Sequence, residues 1–268
     1  MTKRELIAKC DFIISIGSML ADNKEDIRNN VIESIAKTNA KFTYMHPIDN
    51  IDLKLYYTQF IKYEVGSEEG ICALLLDTFV KECDEKTRKF INDLDLGYIS
   101  AESSAGEEEF EEAYGNYLEA KNKLLIIGDD FVEHEKIENI IKLLALIKKH
   151  TNFELIVLNE DLENKINSCT NFDLEEIEEL KSFNGTLVYK LIDENQSDEL
   201  IASKTFANIA KVADGDEIYI NSKDEKIKKT LKLDETLNGT IAILKVKNID
   251  DVFNGYRYKQ VKIEKVEA

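Results

Sequence analysis

The sequence predicts an α/β fold, in which an open, mostly parallel β-sheet is followed by a small all-β domain. The first observation is that two stretches repeat the order apolar strand, amphipathic helix, apolar strand, which is typical of parallel strands covered by helices. The second is a change of pattern near Asn184, beyond which short strands alternate apolar and polar residues between turn residues. Together these patterns predict two domains of different architecture.

Length and composition are those of a globular protein. The chain has 268 residues, of which 43% are hydrophobic, so it can bury a substantial core. No apolar run approaches the ~18 residues that cross a bilayer, and the first residues lack the continuous apolar core of a signal peptide. We therefore expect a cytoplasmic protein with no direct membrane insertion.

The charge is strongly acidic and unevenly distributed. The chain has 35 Lys and Arg residues against 53 Asp and Glu residues, which gives a net charge of −18. From Asn221 onward it holds 11 basic and 8 acidic residues, or +3, so residues 1–220 carry −21. An acidic body of this kind repels a phosphate backbone, and we expect no nucleic-acid partner.

The first strand–helix–strand unit begins with Asp11–Gly17, a nearly continuous apolar run that ends at a glycine, as in a strand buried on both faces. The second strand is Lys41–Met45, directly before His46 and Pro47. A helix is predicted between them because apolar residues recur at helical spacing, at Ile27, Val31, Ile32 and Ile35. A crossover between parallel strands of this kind should be right-handed.

The middle of the chain is predicted to hold a short strand and two long helices. Ile61–Val65 has the composition of a strand, and Glu68–Phe90 has the pattern of one long helix. Ser104 and Glu107 have capping-box spacing and open an acidic helix, Glu107–Lys123. Its charges are most simply a solvated face, and a partner-binding acidic patch is the alternative.

The second unit repeats the first. Lys123–Phe131 contains an apolar strand that reaches Gly128, and Phe153–Asn159 is the returning strand. The helix between them is predicted by apolar residues at Ile137, Ile140, Ile141, Leu144 and Ile147. Two such units predict a Rossmann-like arrangement, an open sheet with parallel strands and helices on its faces.

The remaining third of the chain is predicted to form the all-β domain. A helix over Asp173–Ser182 is expected to bridge the two parts, with domains over residues 1–170 and 171–268. Alternation along the last strands indicates half-exposed positions. The predicted strand segments are 185–192, 216–222, 226–233, 239–246 and 258–266.

The end of the first strand is a candidate anion site, because a helix that follows a strand tip offers free N–H groups and a positive dipole end. A dinucleotide fingerprint needs further glycines, but Gly17 is followed by Ser18 and Met19. The acidic ribose anchor expected after the next strand is replaced by His46, with Asp49 as a possible substitute. The first unit is therefore a weak nucleotide site at best.

Two further glycine turns are candidates of the same kind. Gly128 is followed by Asp129 and Asp130, and two carboxylates at this position repel phosphate while they satisfy a helix dipole. Asp214–Asp216, an Asp-Gly-Asp sequence, is predicted to be a turn that enters a strand. Calcium binding is the alternative there, but the further ligands of an EF-hand are missing.

Catalytic and metal-binding patterns are missing from the sequence. The histidines His46, His134 and His150 are not accompanied by a GxSxG, HExxH or P-loop motif. We expect His134 to be a capping or surface residue and His150 to lie in the last turn of a helix. The cysteines lack CxxC or zinc-type spacing, so we expect free thiols packed in the core; they are Cys10, Cys72, Cys83 and Cys169. The sequence predicts no catalytic residue and no metal site.

Four segments, taken in order, resemble the carboxy-terminal part of the molybdopterin oxidoreductase superfamily. Segment 10–48 resembles the family's strand, Gly-Ser-Asn turn, helix, and strand that ends in Asp-Pro. Segment 63–79 resembles the family's glycine turn with a long helix, and segment 123–149 resembles its later strand and helix. Segment 207–244 resembles its closing cofactor-binding barrel. The resemblance implies that the final domain is a double-psi barrel-like fold.

Within the superfamily, the likeness is greatest to the G subunit of bacterial NADH:quinone oxidoreductase, respiratory complex I. That likeness implies a non-catalytic, scaffold-type portion of the complex, with other hydrophilic-arm subunits as partners. It also implies a place on the cytoplasmic face of the inner membrane, held there through the complex. The ferredoxin-like region and cysteine clusters of the family are absent from this sequence.

The resemblance also implies positions for a molybdopterin guanine dinucleotide. They are Gly17, Ser18, Met19, His46, Gly215 and Asp216. Met19 stands where the family has asparagine, and His46 stands where it has an acidic residue, so the site is predicted to be vestigial and the chain to hold no cofactor. Two alternatives stay open: a module that still binds the pterin dinucleotide between the two domains, and a freestanding acidic interaction or assembly protein.

Overall fold

The structure is a computed structural model that describes residues 2–194, 197–223 and 225–267. Its internal contacts divide the chain into two compact units, Met1–Ser182 and Phe183–Ala268. The first unit is an α/β layer structure and the second is built mainly from strands. The predicted fold class is confirmed.

The sheet of the first unit has five parallel strands in the order β3-β2-β1-β4-β5. The chain runs outward from β1 to β3 and then crosses back to place β4 beside β1. This is the open parallel sheet that the two repeated units predict. The strands are β1 (Phe12–Ile16), β2 (Lys41–Met45), β3 (Gln59–Ile61), β4 (Lys123–Ile127) and β5 (Phe153–Val157).

Helices cover both faces of this sheet. Successive residues of β1 point to opposite faces, so that Ile14 packs in one apolar cluster with Leu75 and Ile13 packs in another with Val31. Short 3₁₀ helices lie at Asp22–Lys24 and Ile51–Leu53. The α-helices are α1 (Lys3–Ala8), α2 (Glu25–Thr38), α3 (Glu68–Phe79), α4 (Glu85–Asp93), α5 (Leu96–Ser103), α6 (Glu107–Glu119), α7 (Ile137–His150) and α8 (Glu160–Ser168).

The single long helix predicted over Glu68–Phe90 is wrong, because the chain forms two helices there. Helix α3 ends at Phe79, and Asp84 begins α4 by accepting a hydrogen bond from the backbone N–H of Thr87 at 3.0 Å. An aspartate at this position is a strong N-cap, and it is the local signal for the break. The strand predicted over 61–65 is also displaced, since β3 ends at residue 61.

The capping box predicted from Ser104 is wrong as well. Ser104 has a φ of +55° and ends α5 in the left-handed conformation. Helix α6 is instead capped at Gly106, whose backbone N–H donates a hydrogen bond to the side chain of Glu109 at 2.8 Å. This is half of a capping box, since glycine has no side chain to accept the reciprocal bond. The acidic residues that follow in α6 lie largely on an exposed face, as a solvated surface requires.

The bridging helix predicted over 173–182 does not form, and this segment has no regular secondary structure. Its apolar side chains pack against the helices of the first unit; they are Leu174, Ile177 and Leu180. Side chains of those helices also bind its backbone, including Asn139 and Tyr98. Contacts with the body of the unit therefore replace the internal hydrogen bonds that a helix would have made.

The second unit is a mixed, nearly closed sheet in the order β11-β6-β10-β7-β9-β8-β12. Strand β6 pairs in parallel with β10, as does β7 with β9, and the other neighbours are antiparallel. The edge strands β11 and β12 are consecutive in the chain, which brings the two ends of the sheet together. The elements are β6 (Leu187–Ile192), β7 (Glu199–Ala202), α9 (Lys204–Ala210), β8 (Glu217–Asn221), β9 (Lys226–Leu233), β10 (Ile241–Val246), β11 (Tyr258–Gln260) and β12 (Lys262–Lys265).

Each predicted strand segment of this unit contains a strand, but β7 and α9 were not predicted. Both are short, and their four and seven residues give little periodicity. The predicted strand 258–266 is interrupted at Val261, whose N–H donates to the carbonyl of Thr186 at 3.0 Å. Within the described residues, no helix has the length and apolar character needed to span a membrane.

Candidate functional site at the carboxyl edge of the parallel sheet

Open α/β sheets bind ligands outside the carboxyl ends of their strands, at the point where the strand order reverses. In the first unit this point lies between β1 and β4. Because Gly17, Ser18 and Met19 follow β1 and His46 follows β2, the structure brings these four predicted positions together at this edge. Asp130, which follows β4, reaches the same place.

His46 and Asp130 form a buried pair across the end of β1. The Nε2 atom of His46 lies 3.0 Å from Oδ2 of Asp130, and their side chains are 0% and 1% exposed. The Nδ1 atom of His46 lies 3.0 Å from both the backbone nitrogen and the carbonyl oxygen of Ile48, so the ring is held at both of its nitrogens. The histidine that replaces the expected acidic residue thus reaches over β1 to hold the β4 loop.

Two glycines allow the ends of β1 and β4 to meet. A Cβ atom on Gly128 would lie 1.7 Å from the carbonyl oxygen of Gly17, so backbone approaches backbone there. Gly17 has a φ of +69°, and the ring of Phe131 covers it, 2.4 Å from where its own Cβ would be. The backbone N–H of Asp130 donates to the carbonyl of Gly17 at 3.0 Å. The crevice between the strands is therefore filled by this chain.

The loop after Gly17 is bound to the protein interior. Tyr44 Oη donates to the carbonyl of Met19 at 3.3 Å, and Asn50 Nδ2 donates to the same carbonyl at 2.6 Å. The backbone N–H of Leu20 donates to the hydroxyl of Ser18 at 3.2 Å. All residues from Gly17 to Leu20 are buried. The loop presents no open row of N–H groups to a phosphate.

A second histidine–carboxylate pair lies nearby in the first unit. His134 Nε2 is 3.3 Å from Oε2 of Glu68, and both side chains are buried. Burial lowers the pKa of His134, but its hydrogen bond with Glu68 and the charge of that carboxylate raise it above its ordinary value. Burial, with Glu68 and Asp130 close by, raises the pKa of Tyr63. Through Tyr63, which interacts with both Glu68 and Asp130, the two histidine–carboxylate pairs belong to one buried polar cluster.

His134 was expected to be a capping or surface residue, and the structure gives it the capping role. Its Nδ1 accepts a hydrogen bond from the backbone N–H of Lys136, just before α7, which is a capping role. Its side chain is buried, so the surface alternative is wrong. Sequence reasoning missed Glu68 and Glu69 as interior groups. The available signal was that two acidic residues open a helix whose other residues are mostly apolar.

A molybdopterin guanine dinucleotide does not fit this edge. Its pyrophosphate would need N–H donors and room at the tips of β1 and β4, where the structure has the Gly17–Gly128 contact and the ring of Phe131. Two carboxylates occupy this position. Asp129 pairs with Lys24 at 3.4 Å, and Asp130 pairs with His46. A phosphate here would meet carboxylates in a buried environment, which is strongly unfavourable.

Gly215 and Asp216, the other predicted positions, belong to the second unit, where they form a turn. Gly215 has a φ of +80°, which favours glycine. Asp216 accepts hydrogen bonds from Lys265 Nζ at 2.6 Å and from the backbone N–H of Ala213 at 2.8 Å, and these lower its pKa. Asp214 accepts from the N–H of Leu233 at 2.8 Å. Both carboxylates are used to stabilise the turn.

The thiols differ in their surroundings. Cys10 and Cys72 are buried, and burial raises the pKa of Cys10 to about 11, as for an inert core thiol. Cys83 and Cys169 are also free thiols that pack against the apolar core, but they are only half-buried. Among the residues that the structure describes, no three His, Cys, Asp or Glu side chains converge in a way that could hold a metal ion.

We expect Asp130→Asn to destabilise the first unit by about 1–3 kcal/mol, because a buried, charge-assisted hydrogen bond is replaced by a neutral one. Asp129→Asn is the matched control: the adjacent Asp129 makes a longer and more exposed contact, with Lys24 at 3.4 Å, so its loss should cost less than the loss of the His46–Asp130 bond. Urea unfolding followed by NMR signals of the first unit measures both. Equal effects of the two substitutions would contradict the importance of the His46–Asp130 pair.

Comparisons with known proteins bear on the fold. No family model matches the chain, and no curated protein matches its sequence. Among solved structures, the chain is similar to acetylene hydratase from Pelobacter acetylenicus, with a TM-score of 0.58 and 8% identity, over 90% of this chain and 71% of that chain. So low an identity shows the fold alone. The likeness shows that most of this chain shares the fold of that structure.

Proposed function

We propose that this chain is a non-catalytic, scaffold-type protein with a molybdopterin oxidoreductase-like fold, whose cofactor crevice is closed by its own residues. The observation that carries the proposal is the contact between Gly17 and Gly128 beneath the His46–Asp130 pair. A working site would keep this position open for a ligand. Here the same residues connect three neighbouring strands, β2, β1 and β4, so they stabilise the sheet.

The more specific proposal is that the chain is a portion of the G subunit of NADH:quinone oxidoreductase and contacts other hydrophilic-arm subunits. Support comes from the four ordered segments that resemble that part of the superfamily, together with the loss of the residues expected to hold the dinucleotide. An acidic exterior, with net charge −18, suits binding to basic surfaces of neighbouring subunits.

We expect guanine nucleotides to give no binding heat with the intact chain. GDP is the probe for calorimetry, since it carries the guanine and pyrophosphate that the crevice would have to hold. The double variant Asp129→Asn/Asp130→Asn removes the two carboxylates and keeps the contact between Gly17 and Gly128. We expect it to give no binding heat with GDP either, because that contact still closes the crevice. Binding by the wild type would overturn the proposal, and binding by the double variant alone would show that charge, rather than closure, excludes the nucleotide.

Copurification from the native cells tests the assembly. A tagged chain expressed at its natural level should recover subunits of NADH:quinone oxidoreductase in fixed proportion, and the recovery should survive a wash at moderate salt. Recovery of the chain alone, or with unrelated proteins, would favour a freestanding acidic interaction or assembly protein. Stoichiometric molybdenum in the purified chain would contradict the non-catalytic role.

A further inference from the structure

Residues 171–182, here called the strap, run across the first unit without regular secondary structure. Leu180 is buried against Gly70 of α3 and Ile99 of α5, and its side chain lies 2.7 Å from where a Cβ of Gly70 would be. Its backbone N–H donates to Tyr98 Oη of α5 at 3.1 Å. The strap thus lies over helices that belong to the body of the unit.

The side chain of Asn139 in α7 both accepts a hydrogen bond from the strap backbone and donates one to it. Its Oδ1 accepts a hydrogen bond from the N–H of Glu175 at 2.9 Å, and its Nδ2 donates to the carbonyl of the same residue at 3.2 Å. Asn139 is 1% exposed, so these bonds are shielded from water. A further side chain of α7, Lys142, donates to the carbonyl of Asp173 at 2.7 Å. Side chains of the body therefore hold the strap backbone.

Glu69 fixes the orientation of this asparagine. Its Oε1 accepts a hydrogen bond from Nδ2 of Asn139 at 2.7 Å, which places Oδ1 toward the strap. Glu69 also lines a cavity of about 400 Å³. Four strap residues contribute to the wall of the same cavity; they are Glu176, Glu178, Glu179 and Lys181. Movement of the strap would therefore change the hydration of a buried carboxyl group.

The remaining strap contacts are partly buried apolar side chains and exposed ion pairs. Phe172, Leu174 and Ile177 pack against the apolar core of the unit, but each is only partly buried. Lys86 pairs with Asp173, and Lys181 of the strap pairs with Glu135 at 2.8 Å. Pairs of this kind contribute little and are screened by salt. Leu180 is the one strap residue that is fully buried, so attachment depends mainly on its burial and on the hydrogen bonds of Asn139 and Tyr98 with the strap backbone.

We propose that the strap is a detachable segment, held to the first unit by Asn139, which opens and closes while the helices beneath it stay folded. Local openings of this type draw on segments with few buried contacts and little regular hydrogen bonding. The strap fits that description and leads directly to the boundary between the two units at Ser182. The inference stands on the strap contacts and does not depend on the proposed function.

The opening equilibrium of the strap depends on pH, because opening changes the pKa of Glu69. Burial raises the pKa of Glu69, against the opposing effects of Asn139, Lys136 and His134. Opening hydrates Glu69 and lowers its pKa, so opening releases a proton. Opening therefore becomes more favourable as the pH rises from the open-state pKa to the higher closed-state pKa, and the effect levels off above that. The other charged groups at Glu69 are Glu175, close to its carboxylate, and those that line its cavity, which are Glu135, Glu176, Glu178, Glu179 and Lys181.

His134 acts in the same direction. Its raised pKa means that it keeps its proton to higher pH than an ordinary histidine, and deprotonation removes a positive charge near ionised Glu69. We therefore expect strap protection to fall as the pH rises from the ordinary range of a carboxyl group through that of a histidine. The carboxyl group of Glu135 has a lowered pKa, because of its hydrogen bond with Lys181, and stays ionised over this range.

Hydrogen exchange of the full chain tests the proposal. The amides of Glu175 and Leu180, both hydrogen-bonded to side chains, should exchange at least ~100-fold faster than those of Leu144 and Ile147 in α7, after correction for intrinsic rates. Equal protection of strap and α7 amides would overturn the proposal, because the strap would then open only with global unfolding. This comparison uses the wild type and needs no variant to fold.

Variants assign the opening to Asn139. Asn139→Ala should raise exchange of the Glu175 amide about tenfold and leave α7 unchanged, whereas Asn164→Ala, an exposed helical asparagine, should change neither. Glu69→Gln keeps a hydrogen-bond acceptor but cannot ionise, so it should reduce the fall in protection with pH. An unchanged strap in Asn139→Ala, or an unchanged pH profile in Glu69→Gln, would overturn the assigned roles.

Discussion

Gly128→Ala is expected to prevent the first unit from folding. The added Cβ would lie 1.7 Å from the carbonyl oxygen of Gly17 and 2.5 Å from the backbone nitrogen of Ser18. Neither atom belongs to a flexible side chain, so relief requires β1 and β4 to separate at their ends. That separation would break the 2.8 Å hydrogen bond from Gly128 N–H to the carbonyl of Ile16.

The cost should be about 5 kcal/mol or more, which equals the whole stability of many domains. Gly115→Ala is the matched control, because nothing lies within 4 Å of a Cβ added at this position on α6. That substitution should stabilise the helix by about 0.5–1 kcal/mol, since alanine has the higher helix propensity. The first unit is followed by its own NMR amide signals, because two units can unfold separately.

A folded Gly128→Ala protein with near-normal stability would contradict the close contact of the strand ends. The crevice would then have room for a ligand, and the proposed scaffold function would lose the observation on which it depends. The experiment is therefore a direct test of whether glycine is kept at this position for backbone packing rather than for the approach of a pyrophosphate.

The elements that sequence reasoning placed well are those with a local signal. Strand β2 has its predicted bounds, Lys41–Met45, because a short apolar run ends at a histidine and a proline. Helix α7 was found from apolar residues at helical spacing. The break after Phe79 was missed because the apolar pattern continues past it, although Asp84 marked the start of a new helix.

The candidate site was predicted as a location but not as a set of partners. The positions after β1 and β2 were expected to meet, because parallel strands bring their carboxyl ends to one edge. The pairing of His46 with Asp130 joins residues 84 positions apart, and no local pattern specifies such a contact. Likewise the strap was predicted to be a helix, and its contacts with Asn139 and Tyr98, which no local pattern specifies, bind its backbone in place of helical hydrogen bonds.

Lys190 is the clearest case of a signal present in the sequence and left unused. It stands in the middle of an otherwise largely apolar strand, β6, and its side chain is 0% exposed. A buried lysine needs partners for its ammonium group. The structure supplies them from one loop of the second unit: the carbonyl oxygens of Ile249, Val252, Phe253 and Gly255 lie 2.7, 3.4, 2.7 and 3.0 Å from Nζ.

Lys190→Met is expected to destabilise the second unit by about 3 kcal/mol or more. Methionine replaces the apolar stem, but it leaves these carbonyl groups directed at a thioether that cannot donate a hydrogen bond, so each keeps part of its desolvation cost. Lys228→Met is the matched control, because Lys228 lies exposed on β9 and pairs with Glu217, and it should leave the unfolding midpoint of the unit unchanged.

Urea unfolding monitored by amide signals of β6 and β10 measures the effect, and exchange of the amides in residues 249–255 reports whether the loop loses its order. We expect both to change together in Lys190→Met, because one ammonium group connects the loop to the sheet. A stable sheet with a disordered loop would mean that the lysine organises the loop alone. Unchanged stability and unchanged loop exchange would show that the carbonyl groups find other donors, and the assigned role of Lys190 would be wrong.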